Sequence, residues 1–265
     1  MDSRLPAGNS RRAWLLACLV LLSSTAVVAA TLHGKTETFY QGYLQRLEDR
    51  LSKRSQFLLS DKVPGLREKL KSGEIYVEEA RPENEPPDGL IHHYEGAIFL
   101  PGATLPQVMR VIQDYDRHKH YYKPEVIDSK ILNRNGDEFR IRLRLLKKKV
   151  VTVVLETEHE VRYKPVGAKK MESLSRSTKI SEVENPGSSN EEQLPPGKGN
   201  GFVWHLDSFW RFEEADGGVY MECTSVSLSR DIPFGMGRIV RPIIADLPEE
   251  SLKSVLLQTR QAAAR

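Results

Sequence analysis

Residues 138–163, EFRIRLRLLKKKVVTVVLETEHEVRY, contain two runs in which apolar and charged side chains alternate. In Glu138–Leu146 arginines alternate with isoleucine and leucine, and in Val150–Tyr163 aliphatic residues alternate with glutamates. Because successive side chains of a strand point to opposite faces, each run predicts a strand with one apolar and one polar face. We expect Lys147–Lys149 to form the turn that joins them as an antiparallel pair.

Turn signals on both sides of this pair predict further antiparallel strands. Asn135-Gly136 favours a tight hairpin turn, so Val126–Leu132 should pair with the strand that follows it. Asp216-Gly217-Gly218 favours a second hairpin nearer the end of the chain. The sequence therefore predicts an antiparallel meander of five or six consecutive strands. The other predicted strands are Glu74–Glu79, Ile91–Leu100, Met171–Ile180, Phe202–Glu213 and Val219–Arg230.

Three segments have helical periodicity instead. Thr104 is a typical N-cap for a helix that begins at Leu105. Apolar residues recur every three or four positions in Thr36–Ser60 and again between Pro248 and Ala264. An antiparallel sheet must cover one face, and a single terminal helix can lie across a strongly curved sheet and leave a cavity beneath it. We therefore predict an α+β helix-grip fold: a curved antiparallel sheet around a long C-terminal helix, with an N-terminal helical extension.

The composition excludes several classes of protein. Apolar residues make up 39% of the 265 residues and charged residues 28%, which is ordinary for a soluble domain and excludes a collagen-like, disordered or polytopic membrane protein. Lysine and arginine number 39 against 36 acidic residues, and a net charge of only +3 gives the whole chain no electrostatic footprint for nucleic acid. Two cysteines, Cys18 and Cys223, cannot form a disulfide framework. We predict that Cys223 is buried.

The first 30 residues have the pattern of a secretory signal peptide. Arg4, Arg11 and Arg12 precede an uncharged apolar run, which ends in small residues that suit cleavage after Ala30. The alternative is an uncleaved membrane anchor, since about 20 apolar residues can span a bilayer. We expect an exported protein, periplasmic or extracellular, with a signal peptide at 1–30, a helical extension and linker at 31–89, and the main domain at 90–265.

Several segments resemble START-like proteins, the superfamily of START lipid-transfer domains, polyketide cyclases and coenzyme Q-binding proteins. They are VIQDYD at Val111–Asp116, PEVIDS at Pro124–Ser129, VYMEC at Val219–Cys223 and SLSRDIP at Ser227–Pro233, followed by the terminal helix. The resemblance covers about Leu90–Arg265. It implies that a lipid or another hydrophobic small molecule binds in an interior cavity.

The strand face that we assign to the interior contains a histidine, His159. A histidine there can hydrogen-bond a ligand head group, act as a general base if its pKa is near neutrality, or bond a neighbour within the core. The aromatic residues of Phe202–Glu213 either line the cavity or fill the core beneath the terminal helix. The predicted ligand-binding residues are Val153, Leu155, Thr157, His159, Arg176, Trp204, Leu206 and Trp210, and no catalytic residue, metal ligand or cofactor is predicted.

Other polar groups give weaker indications. His92-His93 and His118-Lys119-His120 invite a metal site, but adjacent strand residues point to opposite faces and no HExxH motif is present. The sequence also lacks a GxSxG nucleophile motif and a phosphate-binding loop. Arg140, Arg142 and Arg144 with Lys147–Lys149 form either a solvated strand face or a patch for transient contact with anionic lipid head groups.

The resulting functional prediction is an exported, non-catalytic binding protein. Its ligand would be a lipid, quinone or isoprenoid held between sheet and terminal helix, with no nucleic-acid partner. The insertion Ser181–Asn200 or the loop Pro233–Gly237 would gate access to the cavity. The alternatives are a cyclase- or aromatase-type enzyme that uses the same cavity, and a structural or interaction domain whose core is filled by side chains.

Overall fold

The computed structural model describes residues 30–148, 152–232 and 247–264. The helices are α1 (Gly34–Ser52), α2 (Leu66–Lys71), α3 (Leu105–Gln113), α4 (His118–Tyr121) and α5 (Leu247–Ala263), with 3-10 turns at Leu59–Asp61 and Tyr115–Arg117. The strands are β1 (Tyr76–Glu79), β2 (Gly89–Pro101), β3 (Val126–Asn135), β4 (Glu138–Lys148), β5 (Thr152–Gly167), β6 (Lys170–Glu184), β7 (Glu192–Gln193), β8 (His205–Ala215) and β9 (Gly218–Arg230).

All nine strands belong to one antiparallel sheet with the order β1-β2-β9-β8-β6-β5-β4-β3, and β7 pairs with β6. The hairpins predicted from Asn135-Gly136 and Asp216-Gly217-Gly218 are confirmed, and both Gly136 and Gly217 have the positive φ that these turns need. A long-range pairing joins β2 to β9, from Gly89 opposite Arg230 to Pro101 opposite Gly218. This pairing places the first long strand beside the last one, so that β1 and β2 join the same sheet as β3–β9.

Helix α5 lies across the concave face of the sheet. Its Leu252 and Leu256 are buried in the main core together with side chains of β2, β4, β5 and β9. Gly96 of β2 permits this close approach, because a Cβ atom there would lie 2.8 Å from Cδ2 of Leu252. The helix-grip architecture predicted from the element order is confirmed. Thr104 is the N-cap residue of α3, as predicted, and its backbone N–H and its hydroxyl both donate to Oε1 of Gln107.

The N-terminal extension packs against the opposite, convex face. Tyr40 of α1 is fully buried there, and its hydroxyl donates to Oδ2 of Asp207 at 2.7 Å. The helix predicted over Thr36–Ser60 ends at Ser52, because Leu59 and Ser60 instead donate their backbone N–H groups to the carboxylate of Glu222 on β9. Strand β1 lies within the predicted extension and pairs with β2, while the division at residue 89 stays a prediction.

Two strand boundaries differ from the prediction because of backbone hydrogen bonds with neighbouring segments. Lys147 and Lys148 continue β4 instead of turning, since Lys148 pairs with Thr152, and residue 149 lies outside the described residues. Strand β8 begins at His205 rather than Phe202, because Trp204 donates its backbone N–H to the carbonyl of Leu228 in a non-strand connection.

Two predictions concern segments outside the described residues. They are the leader up to residue 29 and the loop Pro233–Gly237. Ala30, the predicted cleavage position, is described: it is buried, and its N–H donates to the carbonyl of Gly199 at 2.6 Å. In the part of the chain that the structure describes, no helix is both long and apolar enough to cross a bilayer.

Candidate functional site

A cavity of about 300 Å³ lies between the concave face of the sheet and α5. Its walls come from β4, β5, β6, β8, β9 and α5, and from the segment that connects α3 to β3. Aliphatic side chains predominate on β4 and β5, because the alternation of those strands turns their apolar face inward. The apolar side chains that line it include Ile112, Ile141, Leu143, Leu145, Val153, Leu155, Val161, Leu206, Leu252 and Val255.

Five of the eight residues predicted to bind a ligand line this cavity. Val153, Leu155 and His159 share the inward face of β5, and Leu206 and Trp210 share that of β8. Trp210 lies parallel to the ring of Phe212 at 6.1 Å, and its Nε1–H donates to Oγ of Ser208 at 2.9 Å. The structure therefore brings these five side chains together, and their role in binding stays a prediction.

The other three predicted residues lie elsewhere. Thr157 is buried but does not line the cavity, and its hydroxyl donates to the carbonyl of Leu143 at 3.2 Å. Arg176 follows the inward-facing Ser175, so it points to the convex face, where it forms an ion pair with Glu48 of α1.

Trp204 precedes β8 and therefore does not share the inward face of Leu206. It packs instead with α1 residues in a separate apolar cluster. Arg176 and Trp204 thus connect the sheet to the N-terminal extension, and neither side chain lines the cavity.

Sequence reasoning missed a row of small polar side chains on the sheet face of the cavity. Ser175 of β6, Ser208 of β8 and Ser225 of β9 lie opposite one another on three adjacent strands. The signal was present as alternate serines at 173 and 175 and at 225, 227 and 229. Their alignment depends on strand register, which these short runs do not specify.

His159 is a deeply buried polar side chain of β5 that lines the cavity. It is 4% exposed, and its Nε2 lies 3.0 Å from Oγ1 of Thr157. Burial lowers the pKa of His159 to about 4, so the ring is neutral at pH 7. A base of this pKa is poorly matched to proton abstraction at neutral pH.

The adjacent histidines of β2 point to opposite faces of the sheet, as predicted. His92 reaches the cavity and lies 2.9 Å from Oγ of Ser229, whereas Nδ1 of His93 lies 2.6 Å from the hydroxyl of Tyr43 on α1. Burial lowers the pKa of both rings to about 4. Within residues 30–148, 152–232 and 247–264, no three histidine, cysteine, aspartate or glutamate side chains converge as metal ligands would.

One end of the cavity is closed by polar contacts between the β3 region and α5. Glu125 accepts hydrogen bonds from Oγ of Ser254 at 2.8 Å and from Nε2 of Gln258 at 3.1 Å. Burial opposes ionisation of Glu125, but these hydrogen bonds outweigh it and lower its pKa below the usual value. This carboxylate therefore holds α5 in place at the cavity rim.

The basic strand face of β4 is neutralised by neighbouring carboxylates. Arg140 pairs with Glu158 at 2.8 Å, and Arg144 pairs with Glu156 and Glu191, each at 2.9 Å. Arg142 also contacts Glu156, at 3.5 Å. These arginines lie on the convex side, so they form a paired surface network rather than an open cationic patch.

A curved antiparallel sheet that holds a C-terminal helix and a cavity on its concave face is the helix-grip architecture. This arrangement is similar to the fold of START-like proteins. No protein-family model and no curated protein matches the sequence. Solved structures of similar fold include the TTHA0849 protein from Thermus thermophilus, with 16% identity over 64% of this chain and 95% of that one, and a TM-score of 0.46.

Two further START-like structures carry functional names. The STAR-related lipid transfer protein of Xanthomonas axonopodis has 14% identity over 71% of this chain and 99% of that one, with a TM-score of 0.47. The Zhui aromatase/cyclase of a Streptomyces species has 15% identity over 66% of this chain and 94% of that one, with a TM-score of 0.40. At these low sequence identities, the similarity concerns the fold alone.

Proposed function

We propose that this START-like protein binds and carries a hydrophobic small molecule in the cavity between the concave sheet face and α5. The observation that carries the proposal is the cavity itself, about 300 Å³ in volume and lined mainly by aliphatic and aromatic side chains. At roughly 30 Å³ for a water-sized group, this volume accommodates on the order of ten non-hydrogen atoms. A small isoprenoid or one end of a longer lipid or quinone has this size.

The physical driving force is removal of apolar surface from water. Each square ångström of ligand surface that enters the cavity contributes about 25 cal/mol, so a ligand that loses roughly 200 Å² gains about 5 kcal/mol before the costs of binding. The aliphatic face of β5 and the indole of Trp210 supply the complementary apolar surface. A cyclase- or aromatase-type reaction would need an acid or base near neutrality, which His159 does not supply.

The proposal includes export and a transient membrane encounter. Support for export comes from the basic and apolar leader at 1–30, which matches a secretory signal. A carrier of a membrane-soluble molecule has to meet a membrane at least briefly to load or release it. The arginines of β4 are engaged with Glu156 and Glu158, so a different surface would make that contact.

The test is native mass spectrometry of the full chain produced in an export-competent host, with organic extraction of the co-purifying material. We expect a stoichiometric apolar adduct, lost in Leu206→Trp, which fills the cavity. Leu132→Trp makes the same change at an exposed position of β3 and should retain the adduct. A ligand-free mass that stays unchanged after incubation with mixed lipids, quinones and isoprenoids would contradict the proposal.

A further inference from the structure

His159, which lines the cavity, carries a buried ring nitrogen that has no hydrogen-bond partner among the described residues. Nε2 of His159 lies 3.0 Å from Oγ1 of Thr157, and the hydroxyl of Thr157 donates its only hydrogen to the carbonyl of Leu143. On this hydrogen-bond pattern Oγ1 of Thr157 accepts from the histidine, and we assign the ring hydrogen to Nε2 on that basis. Nδ1 of His159 is then the unprotonated nitrogen, an acceptor with a free lone pair.

No group in the described part of the chain donates to this nitrogen. Nδ1 of His159 is fully buried and has no hydrogen-bond partner there, although the side chain lines the cavity. An unpaired buried acceptor lowers stability, so its retention beside a cavity is explained by a partner that arrives with the ligand. Burial also keeps the ring neutral at pH 7, so the lone pair is available under ordinary conditions.

A second buried atom without a partner among the described residues, the amide oxygen of Gln258 on α5, is also a hydrogen-bond acceptor. Gln258 lines the cavity and donates through Nε2 to Glu125 and Ser254, which leaves its buried amide oxygen without a partner among the described residues. Both unsatisfied groups, Nδ1 of His159 and Oε1 of Gln258, are acceptors. A carboxylate or ketone ligand has only acceptor atoms, so it would be repelled by both and satisfy neither.

We propose that the ligand is an alcohol: an apolar molecule of about ten non-hydrogen atoms whose hydroxyl donates to Nδ1 of His159. This inference rests on the proposed carrier function and adds the chemistry of the ligand's polar end. The hydroxyl oxygen in turn can accept from the serine row of Ser175, Ser208 and Ser225, whose hydroxyls line the same space. A fatty-acid anion or ketone of the same size has no hydrogen to donate and leaves Nδ1 of His159 without this hydrogen bond.

The test compares two probes of equal size, 1-decanol and methyl nonyl ether, by isothermal titration calorimetry. They contain the same number of non-hydrogen atoms, and only the alcohol can donate. We expect the wild-type chain to bind the alcohol about tenfold more tightly, the effect of one buried hydrogen bond. In His159→Phe the ratio of alcohol affinity to ether affinity should fall to about one, and the ether should still bind. His120→Phe, at an exposed position, should leave the ratio unchanged.

The possible results separate this inference from the proposed function. Equal wild-type affinity for the two probes overturns the hydroxyl assignment and leaves the carrier function standing. Failure of both probes to bind overturns both. If His159→Phe does not fold, nitrogen NMR of histidine-labelled wild-type protein replaces it. The Nδ1 resonance of His159 should move upfield with 1-decanol and stay in place with the ether, and an unmoved resonance with bound alcohol refutes the inference.

Discussion

Four buried histidines should make the stability of this protein fall steeply in mild acid. His92, His93, His118 and His159 are each less than 9% exposed, and burial lowers the pKa of each ring from 6.5 to about 4. The unfolded chain therefore binds these protons between pH 6.5 and about 4, whereas the folded chain does not. Stability is complete above pH 6.5 and is lost as the pH falls through this window.

The magnitude follows from proton linkage. Midway through the window each unfolded histidine is almost fully protonated and each folded one almost fully neutral, so each costs about 1.4 kcal/mol per pH unit. Four histidines together cost about 5 kcal/mol per pH unit. Because a domain has a free energy of unfolding of about 5–15 kcal/mol, one to two units of acidification remove a large part of it.

Buried and hydrogen-bonded carboxyl groups also affect how the free energy of unfolding depends on pH. Burial raises the pKa of Asp207 and of Glu222, so protonation of these two groups in the folded state opposes the histidine effect as the pH falls. A hydrogen bond with His205 lowers the pKa of Glu37. That carboxyl stays ionised in the folded and unfolded chain above about pH 5, so it adds little in this window.

Urea unfolding followed by tryptophan fluorescence at pH 7, 6 and 5 measures the effect. His118→Phe replaces one of the four buried imidazole rings, so the change of unfolding free energy per pH unit should become smaller by about a quarter. His120→Phe, at an exposed position of the same helix α4, should leave the slope unchanged. An unfolding free energy that is constant from pH 7 to pH 5, or an equal change of slope in both variants, would refute the reasoning.

Three further outcomes test the packing of the fold. Tyr40→Phe should lower the free energy of unfolding by about 1.5–3 kcal/mol, measured with urea, because buried Asp207 loses a hydrogen bond. Gly96→Val should cost about 1–3 kcal/mol in the same assay, because the new side chain overlaps Leu252 of α5. Cys223 is buried, which raises its pKa, so iodoacetamide should modify it slowly in the native protein and quickly in urea.

The elements of the sheet and the helix that it holds were largely predictable from local patterns. Alternation of period two in β4 and β5 gives their inward faces, and Asn135-Gly136 gives the turn between β3 and β4. The burial of Cys223 and the opposite directions of His92 and His93 followed from the same periodicity. These features depend on neighbouring residues only, so no knowledge of the rest of the chain is needed.

The candidate site was only partly predictable, because membership of a cavity depends on distant parts of the chain. Leu206 and Trp210 line the cavity, but Trp204 packs with α1 because its strand begins one residue later. Arg176 satisfies a carboxylate of α1, Glu48, which lies 128 positions away in the sequence. No periodicity in β6 or β8 indicates what packs on the other face of the sheet.

The sequence by itself determined the strands, the tight turns, the terminal helix and the apolar face that turns inward, since steric alternation and glycine turns are local properties. The tertiary structure alone decided that β2 pairs with β9 and that the N-terminal extension covers the convex face. It also decided that Nδ1 of His159 finds no hydrogen-bond partner in the described part of the chain, because hydrogen bonding depends on which groups of neighbouring strands come within about 3 Å.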